Sequence, residues 1–372
     1  MKVIIPVAGA GMRLRPHTYT QPKPLIPVAG KPIICFIIDK LRASGINDFV
    51  FVLGYLGEKI RDFIEETYPD LKIEFVYQEH REGSAHAIFT ARESIEDEDE
   101  IFIAFGDTIF ELELEEILNC PHSCIGVKKV TDPREFGVAE IDEENKVLRM
   151  VEKPRIPKSN MAIVGIYKIR EVSVLLKTID YLIENNIRTV GEFQLTDALQ
   201  LMLEKGVHFQ AIPVKNWFDC GRKEVLLETN AMLLDQRDRK HSKTPDLPDF
   251  QNTIFIHPVA VGNNCDISNS IIGPHVTIGD NVSIRQSIIQ NSIVGNFAAL
   301  QEAVLKHSVI GSDASIRGMH LSLNIGDNTG DFLIKSARSP RLDIFSGISP
   351  DNPCQQNISL ESLSYLCQIR SL

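Results

Sequence analysis

Residues 2–13 read KVIIPVAGAGMR: a β-branched apolar run meets Pro6 and opens into a turn carrying Gly9 and Gly11. A short apolar run ended by proline and glycine reads as a buried strand entering a tight loop, which predicts an interior strand over Val3–Val7. The run is too short for the apolar core of a secretory leader. Outward from it, strand-like runs at Phe49–Leu53, Ile73–Tyr77 and Ile101–Phe105 alternate with helical patterns at Pro32–Ser44, Glu58–Thr67 and Gly83–Ser94. This β-α-β-α order predicts an α/β domain with a mainly parallel sheet covered on both faces. Such sheets bind ligands beyond the carboxyl ends of their strands, where Ala8–Arg13 and Gly106–Asp107 fall.

After about Cys124 the pattern becomes richer in strands, at Ile125–Val130, Val138–Ile141, Val147–Glu152 and Ala162–Ile169. Helices return at Val172–Glu184, Phe193–Glu204 and Glu224–Asp235. The stretch DQRDRKHSKTPDLPD at 235–249 is charged and nearly free of apolar residues, and predicts a linker over 241–252. Behind it the texture becomes a repeat: VGNNCDI, IGPHV, IGDNV, IVGNF and VIGSDASI. Ile278, Val294 and Ile310 each precede a glycine and recur every 16 residues. Apolar residues also return every five or six positions, as at Val261, Ile267, Ile272, Ile278 and Ile284. This hexapeptide pattern predicts a short parallel β-helix of about four coils over 253–325. Residues 326–372 follow neither period and read as an irregular tail.

The 372 residues include 43% hydrophobic and 24% charged, a balance that excludes bulk disorder. The longest apolar runs fall well short of the roughly 18 residues of a membrane span. Seven scattered cysteines argue against a disulfide framework and favour a reducing cytoplasm. Cys120, His122 and Cys124 lie close together, but no fourth ligand is near in sequence. A net charge of −11 argues against nucleic acid or an anionic membrane as partner.

That charge is unevenly spread. From Met1 to Ile38 there is no Asp or Glu, yet Lys2, Arg13, Arg15, Lys23 and Lys31 all occur there. A basic, glycine-rich opening on an acidic protein points to a local anion site. The loop lacks the Gly-Lys-Ser/Thr of a P-loop and the third glycine of a dinucleotide fingerprint. Read alone, it is equally a tight turn.

Six further blocks accompany PVAGAGMRLRPHTYTQPKPLIPVAGKPII in order: QEHREGSAHAI, FGDTIF, KKVTDPREFGVAEID, VEKPRIPKSNMAIVGIY, GEFQLTDA and WFDCGRKEVLLETN. This series resembles the sugar-1-phosphate nucleotidyltransferases, above all the glucose-1-phosphate thymidylyltransferases of the long form. It covers about residues 1–235, and the repeat behind it matches that branch. The resemblance implies a Rossmann-like nucleotidyltransferase domain over 1–240 and a left-handed β-helix. It also implies attack by a sugar-1-phosphate oxygen on the α-phosphorus of a nucleoside triphosphate, with pyrophosphate leaving.

Residue by residue, the resemblance implies that Ala8, Gly9 and Gly11 approach the nucleotide. Arg13 and Lys23 would neutralise the triphosphate, and Gln78 with Gly83 would read the base. Gly137, Glu152 and Asn160 would contact sugar hydroxyls, and Lys153 the sugar phosphate. Arg13, Lys23 and Lys153 are the implied catalytic residues. Asp107 and Asp219 would hold Mg²⁺, a hard cation suited to carboxylate oxygens. Met12 stands where the family usually has Thr, and Ala8 where many members have Gly. The segment PVAGAGMR also resembles uridylyltransferases, so dTTP and UTP both remain open; uracil and thymine differ by one methyl group.

Two other readings accompany this one. Hexapeptide β-helices also build acyltransferases with a catalytic histidine, which draws attention to His257, His275 and His307. A non-catalytic sugar-nucleotide-binding regulator would keep the fold and lose the metal carboxylates or the phosphate arginine. The β-helix itself, with its exposed aliphatic edges, predicts a homo-oligomer.

Overall fold

A computed structural model describes residues 1–240, 249–318 and 322–329, which belong to one compact unit, Met1–Asp331. The expected linker is described only at 249–252 and the expected tail only at 326–329; the rest of both lies outside the described residues.

Strands Lys2–Pro6, Asp48–Leu53, Lys72–Tyr77 and Ile101–Ala104 form a parallel sheet. The chain lays 48–53 and 72–77 on one side of 2–6, then returns to set 101–104 on the other. The loops leaving 2–6 and 101–104 therefore open side by side at the switch point. Strand Met161–Ile169 joins 101–104 in antiparallel register, and the hairpin of Gly137–Ile141 and Val147–Glu152 extends the sheet beyond it. Ser123–Lys129 and Phe209–Pro213 complete nine strands.

The inner parallel strands 2–6, 48–53 and 101–104 carry unbroken apolar runs because both of their faces are buried, while the edge strand 72–77 exposes Lys72, Glu74 and Tyr77. Val3, Ile5, Phe49 and Phe51 point into one cluster with helices Ile33–Ala43 and Gly57–Thr67. Ile4, Val50 and Val52 point into the other with helices Ser84–Thr90, Val172–Glu184 and Leu195–Glu204. The helix expected over 83–94 is two, Ser84–Thr90 and Arg92–Ile95.

The repeat folds into three parallel ladders, which fit the hexapeptide β-helix. Ile288 stacks on Val304, 16 residues on, but Ile254 on Ile271 and Ile271 on Ile288 are 17 apart. The extra residue sits in the turns before Val259 and Val276, which carry Pro258 and Pro274; the equivalent turn at Asn291 has no proline. Corner serines tie coil to coil: Ser287 N donates to Ser270 Oγ at 3.1 Å and Ser308 N to Ser292 Oγ at 3.1 Å.

One ladder faces the N-terminal domain. Its outward positions in register are Ala260, Thr277, Ile293, Val309 and Asn324. Ile293 and Val309 are buried in a cluster with Leu14, Ile26, Val28, Leu226 and Leu227. Asn230, on helix Lys223–Lys240, accepts from Ala29 N at 2.8 Å and from the Thr277 hydroxyl at 2.6 Å. No helix among the described residues is long and apolar enough to cross a membrane.

Candidate active site

Each charged group at the switch point is placed by local chain chemistry. The loop after the first strand turns through Gly9 and Gly11 into a short 3-10 turn, Met12–Leu14, which carries Arg13. Lys23 opens a second 3-10 turn between Pro22 and Pro24. The two prolines fix the backbone there, so Lys23 is aimed inward and its side chain is only 7% exposed. Gly106 has to lack a side chain: a Cβ there would lie 2.2 Å from Val7 Cγ1, where the two loops cross.

Asp107 and Asp219 are distant in sequence, and a two-stranded antiparallel ladder brings them together. Thr108–Glu111 pairs with Asn216–Asp219, with Asp219 opposite Thr108. Neither strand is evident in the hydrophobic pattern, because each holds only two adjacent apolar residues, Ile109–Phe110 and Trp217–Phe218, between polar ones.

Lys23 Nζ bridges the two carboxylates, 2.8 Å from Asp107 Oδ2 and 3.0 Å from Asp219 Oδ1. Arg13 adds a second cation, with Nη2 donating to Asp219 Oδ2 and Nη1 to Glu135 Oε2, both at 3.2 Å. Loss of hydration pushes the Asp107 carboxyl upward, but the Lys23 ammonium more than reverses this and holds it below its ordinary value. Burial likewise disfavours the charged Lys23, and the two carboxylates overcome that and raise it. Asp107 is thus an anion and Lys23 a cation near neutral pH.

These groups line a cavity of about 650 Å³ that also takes in Gly9, Gly11, Lys153, Glu192 and Arg222. An adjoining recess of about 280 Å³ shares Arg13, Asp107, Lys153 and Asp219, and adds Ser84, Gly137, Glu152, Gln194, Thr196 and Trp217. Lys153 holds a left-handed backbone, φ 42, uncommon for a residue with a side chain. The Glu152 side chain is only 9% exposed and accepts from the Thr196 hydroxyl at 2.7 Å. Burial raises the Glu152 carboxyl above the ordinary glutamate value, against the pull of Thr196 and Lys153.

Of the residues singled out from sequence, Gly9, Gly11, Arg13, Lys23, Asp107, Gly137, Glu152, Lys153 and Asp219 meet in these two connected spaces. Ala8 is buried just behind, its carbonyl accepting from Tyr55 N at 3.2 Å. Gln78 and Gly83 stand together outside the lining: Gln78 Nε2 donates to Gly83 O at 3.1 Å and to His86 Nδ1 at 3.0 Å. Gly83, at φ +116, lies so close to Phe193 that a Cβ would be 2.4 Å from its carbonyl oxygen.

Asn160 is not in the site. It lines a separate depression with Thr131, Pro133, Glu140 and Leu148. The strand register explains this. Glu152 lies opposite Gly137 while Met161 lies opposite Ala139, which puts Asn160 near Glu140, about 10 Å along the strand from Gly137. The part of that strand lining the recess is Ile163–Gly165 and Tyr167. Glu135, Arg222, Glu192, Thr196 and Trp217 were not singled out beforehand, although they fall within the blocks REFG, GRKE, GEFQLTDA and WFDC. Arg222 pairs with Glu135, which also holds Arg13.

A family model described as nucleotidyl transferase matches residues 2–236. The chain belongs to the nucleotidyl transferase family. The transferase is 30% identical to a glucose-1-phosphate thymidylyltransferase of Streptomyces antibioticus over 325 residues, 79% of this chain and 87% of that one. It is 38% identical over 240 residues to the bifunctional protein GlmU of Methanocaldococcus jannaschii, a match that spans 63% of this chain but only 55% of that protein. A solved Bacillus anthracis structure, described as a glucose-1-phosphate thymidylyltransferase in complex with sucrose, superposes with a TM-score of 0.54 at 28% identity; the match covers 65% of this chain and 98% of that one. The chain is therefore a nucleotidyl-transferring enzyme.

Proposed function

We propose that this transferase takes dTTP or UTP as donor and glucose-1-phosphate as acceptor, with Mg²⁺ as its metal. An oxygen of the sugar phosphate forms a bond to the α-phosphorus, the bond from that phosphorus to the bridging oxygen breaks, and pyrophosphate leaves with the electron pair. No covalent enzyme intermediate is needed. The chemistry asks chiefly for two polyanions to be held in line and for negative charge to be neutralised as it builds. The carrying observation is the convergence of Arg13, Lys23, Asp107 and Asp219 on one cavity.

In this reading Arg13 and Lys23 draw in the triphosphate, while the Gly9–Gly11 backbone allows its close approach. Lys153 meets the acceptor phosphate, and Glu152 with the open face at Gly137 receives sugar hydroxyls. Asp107 and Asp219 present oxygens to a common cation, as their shared ammonium indicates, and so suit Mg²⁺; substrate phosphates and water would complete its shell. Bound there, the ion would supply Lewis-acid stabilisation of the phosphoryl oxygens. Gln78 and Gly83 remain the base-reading pair, with the Gln78 carbonyl oxygen as the acceptor available to a pyrimidine N–H.

The thymidylyltransferase relative supports the thymine nucleotide and glucose-1-phosphate. The GlmU likeness raises acyl transfer by the β-helix. Against it, His275 has both ring nitrogens engaged, Nε2 with Asp235 at 3.0 Å and Nδ1 with Asn291 at 3.1 Å. Pyrophosphate release across five triphosphates and several hexose-1-phosphates tests the proposal. Turnover is expected to be highest with dTTP or UTP and glucose-1-phosphate. Binding without turnover in every pair would favour the regulator, and acetyl-CoA consumption with an amino-sugar phosphate would favour the acyltransferase.

A further inference from the structure

The loop that carries Arg13 does not rest on its own domain alone. Residues 16–20 form its footing: the Thr18 hydroxyl donates to Gly11 O at 2.9 Å, and Thr18 Cγ2 packs against Gly11, 2.9 Å from where a Cβ would stand. That footing in turn meets the last described rung of the β-helix. Buried His17 Nε2 pairs with Asn324 Oδ1 at 2.8 Å, and the Thr20 hydroxyl donates to Asp327 Oδ2. Asp327 Oδ1 accepts from Ser312 N at 2.7 Å, which fixes the carboxylate to the coil beneath. Pro16 packs over Gly326, and Leu14, at the end of the Arg13 turn, is buried in one cluster with Ile293 and Val309.

We propose that Asn324 and Asp327 are positioning residues for the triphosphate loop: the β-helix sets the geometry of Arg13 through His17, Thr20 and Thr18. The inference rests on the assignment of Arg13 to the triphosphate. The sugar side of the cavity is built from Gly137, Glu152 and Lys153, which show no such tie to the coil among the described residues. Loosening the clamp therefore acts on one substrate and spares the other. Tyr55 and Lys59 also hold this footing, through the backbone carbonyls of Tyr19 and Thr20, and the Thr20 hydroxyl lies 3.3 Å from the His17 carbonyl as well as against Asp327.

The test uses the full chain with Asn324→Ala, Asp327→Ala and the double substitution. Thr20→Val breaks the clamp from the catalytic side without touching the coil. Asp327→Asn keeps an oxygen acceptor for Ser312 N and turns an amide NH2 toward the Thr20 hydroxyl, which can accept from it. Arg285→Ala, on the exposed polar ladder, serves as control. Pyrophosphate release gives both KM values and kcat, and calorimetry with dTTP and UTP gives triphosphate affinity independently of turnover. The expected result is a triphosphate KM raised by about fivefold or more and a lower kcat, with the sugar-phosphate KM within about twofold of the parent. Asp327→Asn is expected to restore most of the loss, and Arg285→Ala to match the parent.

Parent-like triphosphate KM and affinity in the double variant and in Thr20→Val would overturn the inference, as would an equal rise in both KM values. Should the double variant fail to fold, Thr20→Val decides. Should the parent release no pyrophosphate with any pair, the proposed reaction fails. The calorimetric triphosphate affinities of parent and Thr20→Val then decide the positioning role on their own: a loss supports it and equality overturns it.

Discussion

At the scale of single residues, the site works through opposed charges held close enough to exchange partners. Lys23 spans Asp107 and Asp219 while Arg13 shares Asp219 with Glu135. Each cation can pass from a carboxylate to a phosphate as substrate enters, so the basic groups are ordered before the polyanion arrives. Lys23→Ala is expected to strip Asp107 of its ammonium and leave Asp219 with Arg13 alone, weakening triphosphate binding and lowering kcat by about 100-fold or more in pyrophosphate-release assays. Glu152 gives a pH signature. Because burial raises its carboxyl, the anion is lost on acidification at a higher pH than an exposed glutamate would need. The sugar-phosphate KM is accordingly expected to rise as pH falls through that raised value. In Glu152→Gln this pH-dependent increment should vanish, and its persistence would remove Glu152 from the sugar side.

At the scale of elements, what was legible depended on length and pattern. The strands at 2–6, 48–53 and 101–104 carry unbroken apolar runs bounded by turns, and 72–77 sets Ile73 and Phe75 against Lys72 and Glu74, so the hydrophobic pattern alone marked all four. The ladder of 108–111 with 216–219 was not legible, since each strand holds only two adjacent apolar residues between polar ones and the two lie far apart in sequence. Yet that ladder sets Asp219 beside Asp107. Asn160 failed for the opposite reason: the local block matched, but strand register carried the side chain out of reach. Gly106 shows how tightly the loops are fitted. Gly106→Ala would press a methyl group into Val7 and is expected to cost about 1–3 kcal/mol in chemical denaturation, with kcat reduced because Asp107 follows directly.

On the scale of the whole molecule, the two folds share one hydrophobic seam. The outward ladder from Ala260 to Asn324 reads as an exposed edge from the repeat alone, because sequence does not say which face is covered. In the structure it packs on residues 14–33 and on helix Lys223–Lys240. Asn230 is the polar pin of that seam, buried with hydrogen bonds to both domains. Asn230→Ala leaves Ala29 N and the Thr277 hydroxyl without their acceptor and is expected to lower stability by about 1–3 kcal/mol, read by denaturant titration.

The most direct test of the whole account is a Mg²⁺ titration of pyrophosphate release, from glucose-1-phosphate with dTTP or UTP, in the parent and in Asp107→Asn and Asp219→Asn. Mg²⁺-dependent turnover is expected in the parent and a loss of about 1,000-fold in each variant, with the fold intact by circular dichroism. Near-parent rates and an unchanged Mg²⁺ requirement in either variant would contradict it.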